Sequence, residues 1–162
     1  MKVSIFAVGR MKSGPEKELA DRYAERFARA GPALGLDFAG MAEIPESRRQ
    51  SAAERCREEG AAALGQLADK KLILLDEGGR NLGSEALARM IGRWRDDGVR
   101  EIQFAIGGPD GHDPELKRKA ELVLSFGAAT WPHQIVRMLL AEQLYRAATI
   151  LSGHPYHRGG QG

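Results

Sequence analysis

Five short apolar runs separated by segments of helical period set the tightest limit on how this chain can fold. Val3 to Val8, Leu34 to Met41, Leu72 to Leu75, Ile102 to Ile106 and Leu122 to Phe126 have the length and apolar character of buried strands. Pro15 begins the first helical segment, in which Leu19, Tyr23 and Phe27 recur every fourth residue until Gly31-Pro32 stops it. Arg48 to Leu67 is helical and charged on one face, with Pro45 to Arg49 a polar loop before it. Ser84 suits the N-cap of a helix burying Leu87, Ile91 and Trp94, and Asp113-Pro114 reads as an N-cap followed by an N1 proline. Pro132 or His133 starts the final helix, which ends near Ser152-Gly153. This alternation predicts an α/β fold with a mostly parallel sheet flanked by helices. The length of 162 residues suits one domain spanning the chain, with residues 153–162 a C-terminal tail.

In such sheets ligands sit beyond the carboxyl ends of strands. Three ends here are glycine-rich or small: after Leu75, after Ile106 and after Phe126. Together they predict one pocket. Gly107-Gly108-Pro109-Asp110-Gly111 has neither the Lys-Ser/Thr of a Walker loop nor GxGxxG spacing. It is either a tight turn or a bare stretch of backbone that a flat ligand such as an adenine can approach. In Phe126 to Pro132, small residues permit the same approach and Thr130 and Trp131 could cover a ring; a plain strand-to-helix connection is the equal alternative.

The final helix is apolar on two sides. At 100° per residue His133, Arg137, Leu140, Leu144 and Leu151 share one face, and Ile135, Met138, Leu139 and Tyr145 cover the other. One face can pack on the sheet. The second needs another partner, and a twin subunit is the economical choice. Glu142 and Arg146, four apart on that second face, are expected to pair within the helix. Beyond it, His154-Pro155-Tyr156-His157-Arg158 is a stiffened tail of imidazole, guanidinium and phenol. It suits proton handling and contact with phosphate or a polar base better than it suits a core.

Composition removes several other classes. A formal charge of +2 excludes a histone-like polycation, so nucleic-acid contact would be a local patch. Cys56 has no second cysteine and reads as a half-buried helical thiol. The histidines at 112, 133, 154 and 157 lack ligand spacing, so no metal is expected. Too few apolar residues follow Lys2 for a signal peptide, and no run approaches a membrane span; a soluble, cytoplasmic protein is expected.

Several blocks carry a resemblance along the whole chain. They are Val-x-Ile-x-Ala-Val-Gly from Val3, Leu-Leu-Asp-Glu-x-Gly from Leu74, Ile-Gly-Gly-Pro-x-Gly from Ile106, and Leu124 to Arg137. Glu142-Gln143-Leu144-Tyr145-Arg146-Ala147 and Pro155-Tyr156-His157-Arg158 complete the set. With these the sequence resembles the SPOUT-class knotted methyltransferases, specifically the bacterial 23S rRNA (pseudouridine-1915)-N3-methyltransferase family. It departs at His112 and Asp113, at Trp131 where another large apolar residue is common, and in the extension Gly159 to Gly162.

The resemblance implies a C-terminal deep trefoil knot, a homodimer and S-adenosylmethionine held by the knot loops. Carried over, the cofactor pocket falls on Leu75, Gly107, Gly108, Phe126, Gly127, Ala128, Ala129, Thr130 and Trp131. It further implies an acceptor in 23S rRNA of the assembled ribosome, with the tail serving the reaction. His157 is the candidate proton relay, with water as the alternative. Arg158 and Arg146 are candidates for phosphate or carbonyl contact and Tyr156 for stacking or hydrogen bonding to the base, while His133 and Arg137 would shape the pocket. Another RNA such as tRNA, or ribosome binding without methyl transfer, are the alternative functions.

Overall fold

The computed structural model describes residues 1–156. Its strands are β1 (Lys2–Val8), β2 (Asp37–Ile44), β3 (Lys71–Asn81), β4 (Glu101–Ile106) and β5 (Leu122–Ser125). Its helices are α1 (Pro15–Ala30), α2 (Ala52–Gly65), α3 (Ser84–Asp96), α4 (Pro114–Lys119) and α5 (His133–Ser152). The strands form one sheet in the order β2-β1-β4-β3-β5, and every pairing is parallel. All carboxyl ends therefore open on one edge, as the alternation of elements requires.

Period-2 alternation within the strands divides the core in two. Val3, Ile5 and Ala7 of β1 with Ile73 and Leu75 of β3 meet Phe27 of α1, Leu87 and Ile91 of α3, and Leu140 and Leu144 of α5. Phe6, Val8, Leu72, Leu74 and Ala105 face the other way, onto Ala63 of α2 and Leu116 of α4. The result is three layers with the sheet in the middle.

Four local details differ from expectation. The second strand starts three residues later than Leu34, because Pro32–Leu34 forms a 3-10 turn closed by Gly35 at φ 70°. The N-terminal ammonium donates to the Gly35 carbonyl at 2.7 Å, and pairing with β1 begins only at Asp37. α2 starts at Ala52, where Ser51 and Glu54 make a reciprocal capping box, and not at Arg48. Gly83, not Ser84, caps α3; Ser84 lies one residue inside and its hydroxyl donates to Gln143 Oε1 of α5 at 2.8 Å. β3 does not end at Leu75. Its chain bulges out over residues 76–79 and resumes pairing, so that Leu124 of β5 stands opposite both Leu75 and Arg80. Gly79 makes this possible, since a Cβ there would lie 2.8 Å from the backbone of Val123 and Leu124.

α5 packs between α1 and α3 with Leu140, Ala141, Leu144, Ala147 and Ala148 buried. Ile135, Met138, Leu139 and Tyr145 of its second face are only half-buried in the single chain.

Candidate active site

The carboxyl ends of β3, β4 and β5 surround a cleft of about 890 Å³, within the range of small-molecule sites. Of the residues expected at a cofactor pocket, Leu75, Gly107, Gly108, Phe126, Gly127, Ala129, Thr130 and Trp131 line it; Ala128 belongs to the same segment but not to the lining. His133 and Val136 close the cleft from the first turn of α5. Trp131, 45% exposed, stands at the rim.

The floor is built from beneath. A Cβ on Gly107 would lie 2.9 Å from the Gly111 carbonyl and 3.1 Å from His112 Cε1, so only glycine fits this fold of the loop. His112 is buried, and its Nε2–H donates to the Leu75 carbonyl at 2.9 Å, tying the loop after β4 to β3 just before its bulge. Burial pushes the imidazole pKa down, which keeps the ring neutral and suited to this single role. This contact was not legible before folding, because a histidine one residue past a glycine turn has no periodic signature.

The charged wall was also invisible before folding. Burial raises the Asp76 pKa, but the bond from Lys117 Nζ at 2.7 Å and the Gly78 N–H at 2.9 Å outweigh it, leaving the carboxyl below its usual value. Arg55 of α2 grips Asp110 with two bonds of 2.6 and 3.0 Å and holds that carboxyl down as well. Glu77 accepts the Thr130 hydroxyl at 2.9 Å, linking the β3 bulge to the segment after β5. The Ser125 hydroxyl stiffens that segment, accepting Gly127 N–H at 3.1 Å and lying 2.8 Å from the Gly127 carbonyl.

Arg137, expected to shape the pocket, does so from behind. It is 0% exposed, does not line the cleft, and bonds Glu43 of β2 at 2.9 Å and the Val8 carbonyl at 2.7 Å. It also bonds the Gly9 carbonyl. One side chain thus pins the start of α5 to the ends of β1 and β2.

The other predicted residues form a separate cluster. Arg146 pairs with Glu142 at 2.6 Å as the four-residue spacing implied, and its guanidinium lies 4.9 Å from the centre of the Tyr156 ring. Tyr156 packs on Tyr145 with centroids 4.8 Å apart, and its hydroxyl lies 3.1 Å from Glu142 Oε1 and 3.4 Å from the Tyr23 hydroxyl. Burial, the Tyr23 hydroxyl and the Glu142 charge all push its pKa upward, which holds the phenol protonated and able to donate a hydrogen bond. Val136 to Arg146 spans roughly 15 Å along the helix, at ~1.5 Å per residue. The single chain therefore brings most of the residues expected at a cofactor pocket around one cleft and leaves Arg146 and Tyr156 apart from them. His157 and Arg158 lie outside the described residues.

An open parallel sheet with a glycine-floored cleft at its carboxyl edge defines an α/β domain built to bind a small molecule. The chain belongs to the SPOUT methyltransferase family: the family model described as predicted SPOUT methyltransferase matches residues 1–157. It is 62% identical over 168 residues to Ribosomal RNA large subunit methyltransferase H of Brucella abortus (strain S19), covering 98% of this chain and 99% of that protein. The protein of the same name from Mesorhizobium japonicum is 64% identical over 159 residues, with the same coverage. Among solved structures, a probable methylase family protein from Haemophilus influenzae Rd KW20 shares the fold with a TM-score of 0.50. At 13% identity that likeness covers 97% of this chain and 69% of the other. Among the described residues no helix is long and apolar enough to cross a membrane.

Proposed function

We propose that this protein transfers a methyl group from S-adenosylmethionine to N3 of pseudouridine 1915 in 23S rRNA of the assembled ribosome. The observation that carries the substrate is the similarity over 98% of the chain to proteins named as large-subunit rRNA methyltransferases. The cofactor is supported by the cleft. It has room for a nucleoside with an amino-acid arm, half-buried glycine main chain at Gly107 and Gly108, and polar groups at its rim.

S-adenosylmethionine supplies a methyl already activated on sulfonium, so the protein needs no covalent intermediate. Its task is to align N3, remove the imide proton and steady the charge that builds on the flanking carbonyls. Gly107, Gly108 and the segment from Phe126 to Trp131 hold the donor. Arg146 and Arg158 contact phosphate or carbonyl oxygens, Tyr156 stacks on or donates to the base, and His157 relays the proton, with water as the alternative. The knotted threading of the C-terminal part belongs to the same reading.

We infer a homodimer formed through the half-buried second face of α5. The roughly 15 Å between Val136 and Arg146 supports it, for pairing along α5 allows the tail of one chain to serve the cleft of the other. Sedimentation at micromolar concentration should give twice 17.7 kDa, and a monomer would refute the assembly.

The substrate is tested with tritiated S-adenosylmethionine and ribosomes that lack the modification, with free rRNA and tRNA in parallel. Label on ribosomes alone, mapped to one pseudouridine, is the expected result. Label on tRNA, or on nothing despite cofactor binding, would remove the rRNA assignment and leave the family standing.

A further inference from the structure

The charge of the cleft points to a selection that the family resemblance does not specify. Three carboxylates line its wall: Asp76, Glu77 and Asp110. Lys117 neutralises the first at 2.7 Å and Arg55 the last with two bonds. Glu77 is different. Its hydrogen bond comes from the uncharged Thr130 hydroxyl, and among the described residues it forms no ion pair. Of the two histidines on the wall, His112 is neutral and spent on the Leu75 carbonyl, and His133 faces Glu46 at 3.9 Å. The cleft thus keeps one uncompensated negative charge, on an exposed residue of the bulge that lies between the two stretches of β3 paired with β5.

Resting on the reading of the cleft as a cofactor site, we propose that Glu77 is a specificity-determining residue. It favours the cationic sulfonium donor over the uncharged thioether product. The two ligands share the adenosine and the amino-acid arm and differ by one methyl and one positive charge. A carboxylate with no cation of its own distinguishes them by Coulomb attraction, which strengthens as the ligand displaces water from the cleft. The same preference helps the spent product to leave after transfer.

The experiment is titration calorimetry of the full chain with S-adenosylmethionine and, separately, S-adenosylhomocysteine. The wild type, Glu77→Gln and Thr130→Val are compared, with melting temperatures as a check on folding. Glu77→Gln should raise the donor Kd about tenfold, the size of a single charge–charge attraction in a partly solvated cleft, and shift the product Kd by less than about twofold. Thr130→Val removes the hydroxyl and leaves the charge, so it should preserve the donor-to-product ratio. The wild-type ratio should also shrink as salt is raised. Equal weakening of both ligands by Glu77→Gln, reproduced by Thr130→Val, would make Glu77 only a strap between segments and overturn the proposal. An unchanged ratio in Glu77→Gln would overturn it too. Failure of the wild type to bind either ligand would instead bring down the cofactor reading, and this inference with it.

Discussion

Replacing Arg137 by methionine should lower the melting temperature by on the order of 10 °C. The guanidinium is fully buried and serves Glu43 and the carbonyls of Val8 and Gly9, which lie at the ends of two strands. Methionine can fill much of the volume but donates nothing. Removing one partner of a buried network costs about 3–5 kcal/mol, and a chain of this size loses about 2–4 °C per kcal/mol. Glu43 is 28% exposed and can recover water, so most of the loss falls on the two carbonyls. Arg137→Lys should recover only part of it, because a single ammonium cannot match the spread of the guanidinium fork. Calorimetric or circular-dichroism melting curves decide the matter; a methionine variant within about 2 °C of wild type would show that the network contributes little to stability.

Deleting Tyr156 to Gly162 should reduce methyl transfer by at least about a hundredfold while leaving the Kd for S-adenosylmethionine near the wild-type value. The first part follows from assigning acceptor contacts and proton relay to the tail, since general acid–base catalysis alone contributes about 10²–10⁴. The second follows from assigning the tail to the RNA acceptor and not to the cofactor; within one chain its described part rests on Glu142, Tyr145 and Tyr23 and does not line that chain's cleft. Single-turnover transfer measured beside calorimetric cofactor binding separates the two. A large loss of cofactor affinity in the deletion would place the tail at the cofactor and cancel its assignment to RNA.

Much of the cleft was legible because parallel α/β topology forces it. Once five apolar runs alternate with amphipathic segments, the strand ends share one edge, and small residues after Leu75, Ile106 and Phe126 mark the places where backbone is bare. The Glu142–Arg146 pair was legible for an equally local reason, the four-residue spacing of a helix. Ser84 shows the limit of such rules. Its side chain is a good cap by type, yet Gln143 of α5, far along the chain, claims its hydroxyl.

Local patterning by itself thus determined the element types, the parallel sheet and the three loops around the cleft, because hydrophobic period and turn chemistry act over a few residues. Tertiary structure decided the rest. It placed Arg137 on carbonyls about 130 residues away, joined His112 to Leu75, and returned β3 to its pairing with β5 after the bulge. It also neutralised Asp76 and Asp110 while leaving Glu77 without a cation among the described residues. These are contacts between groups distant in sequence, set by strand order and register, and no periodicity records which polar groups meet when the layers close.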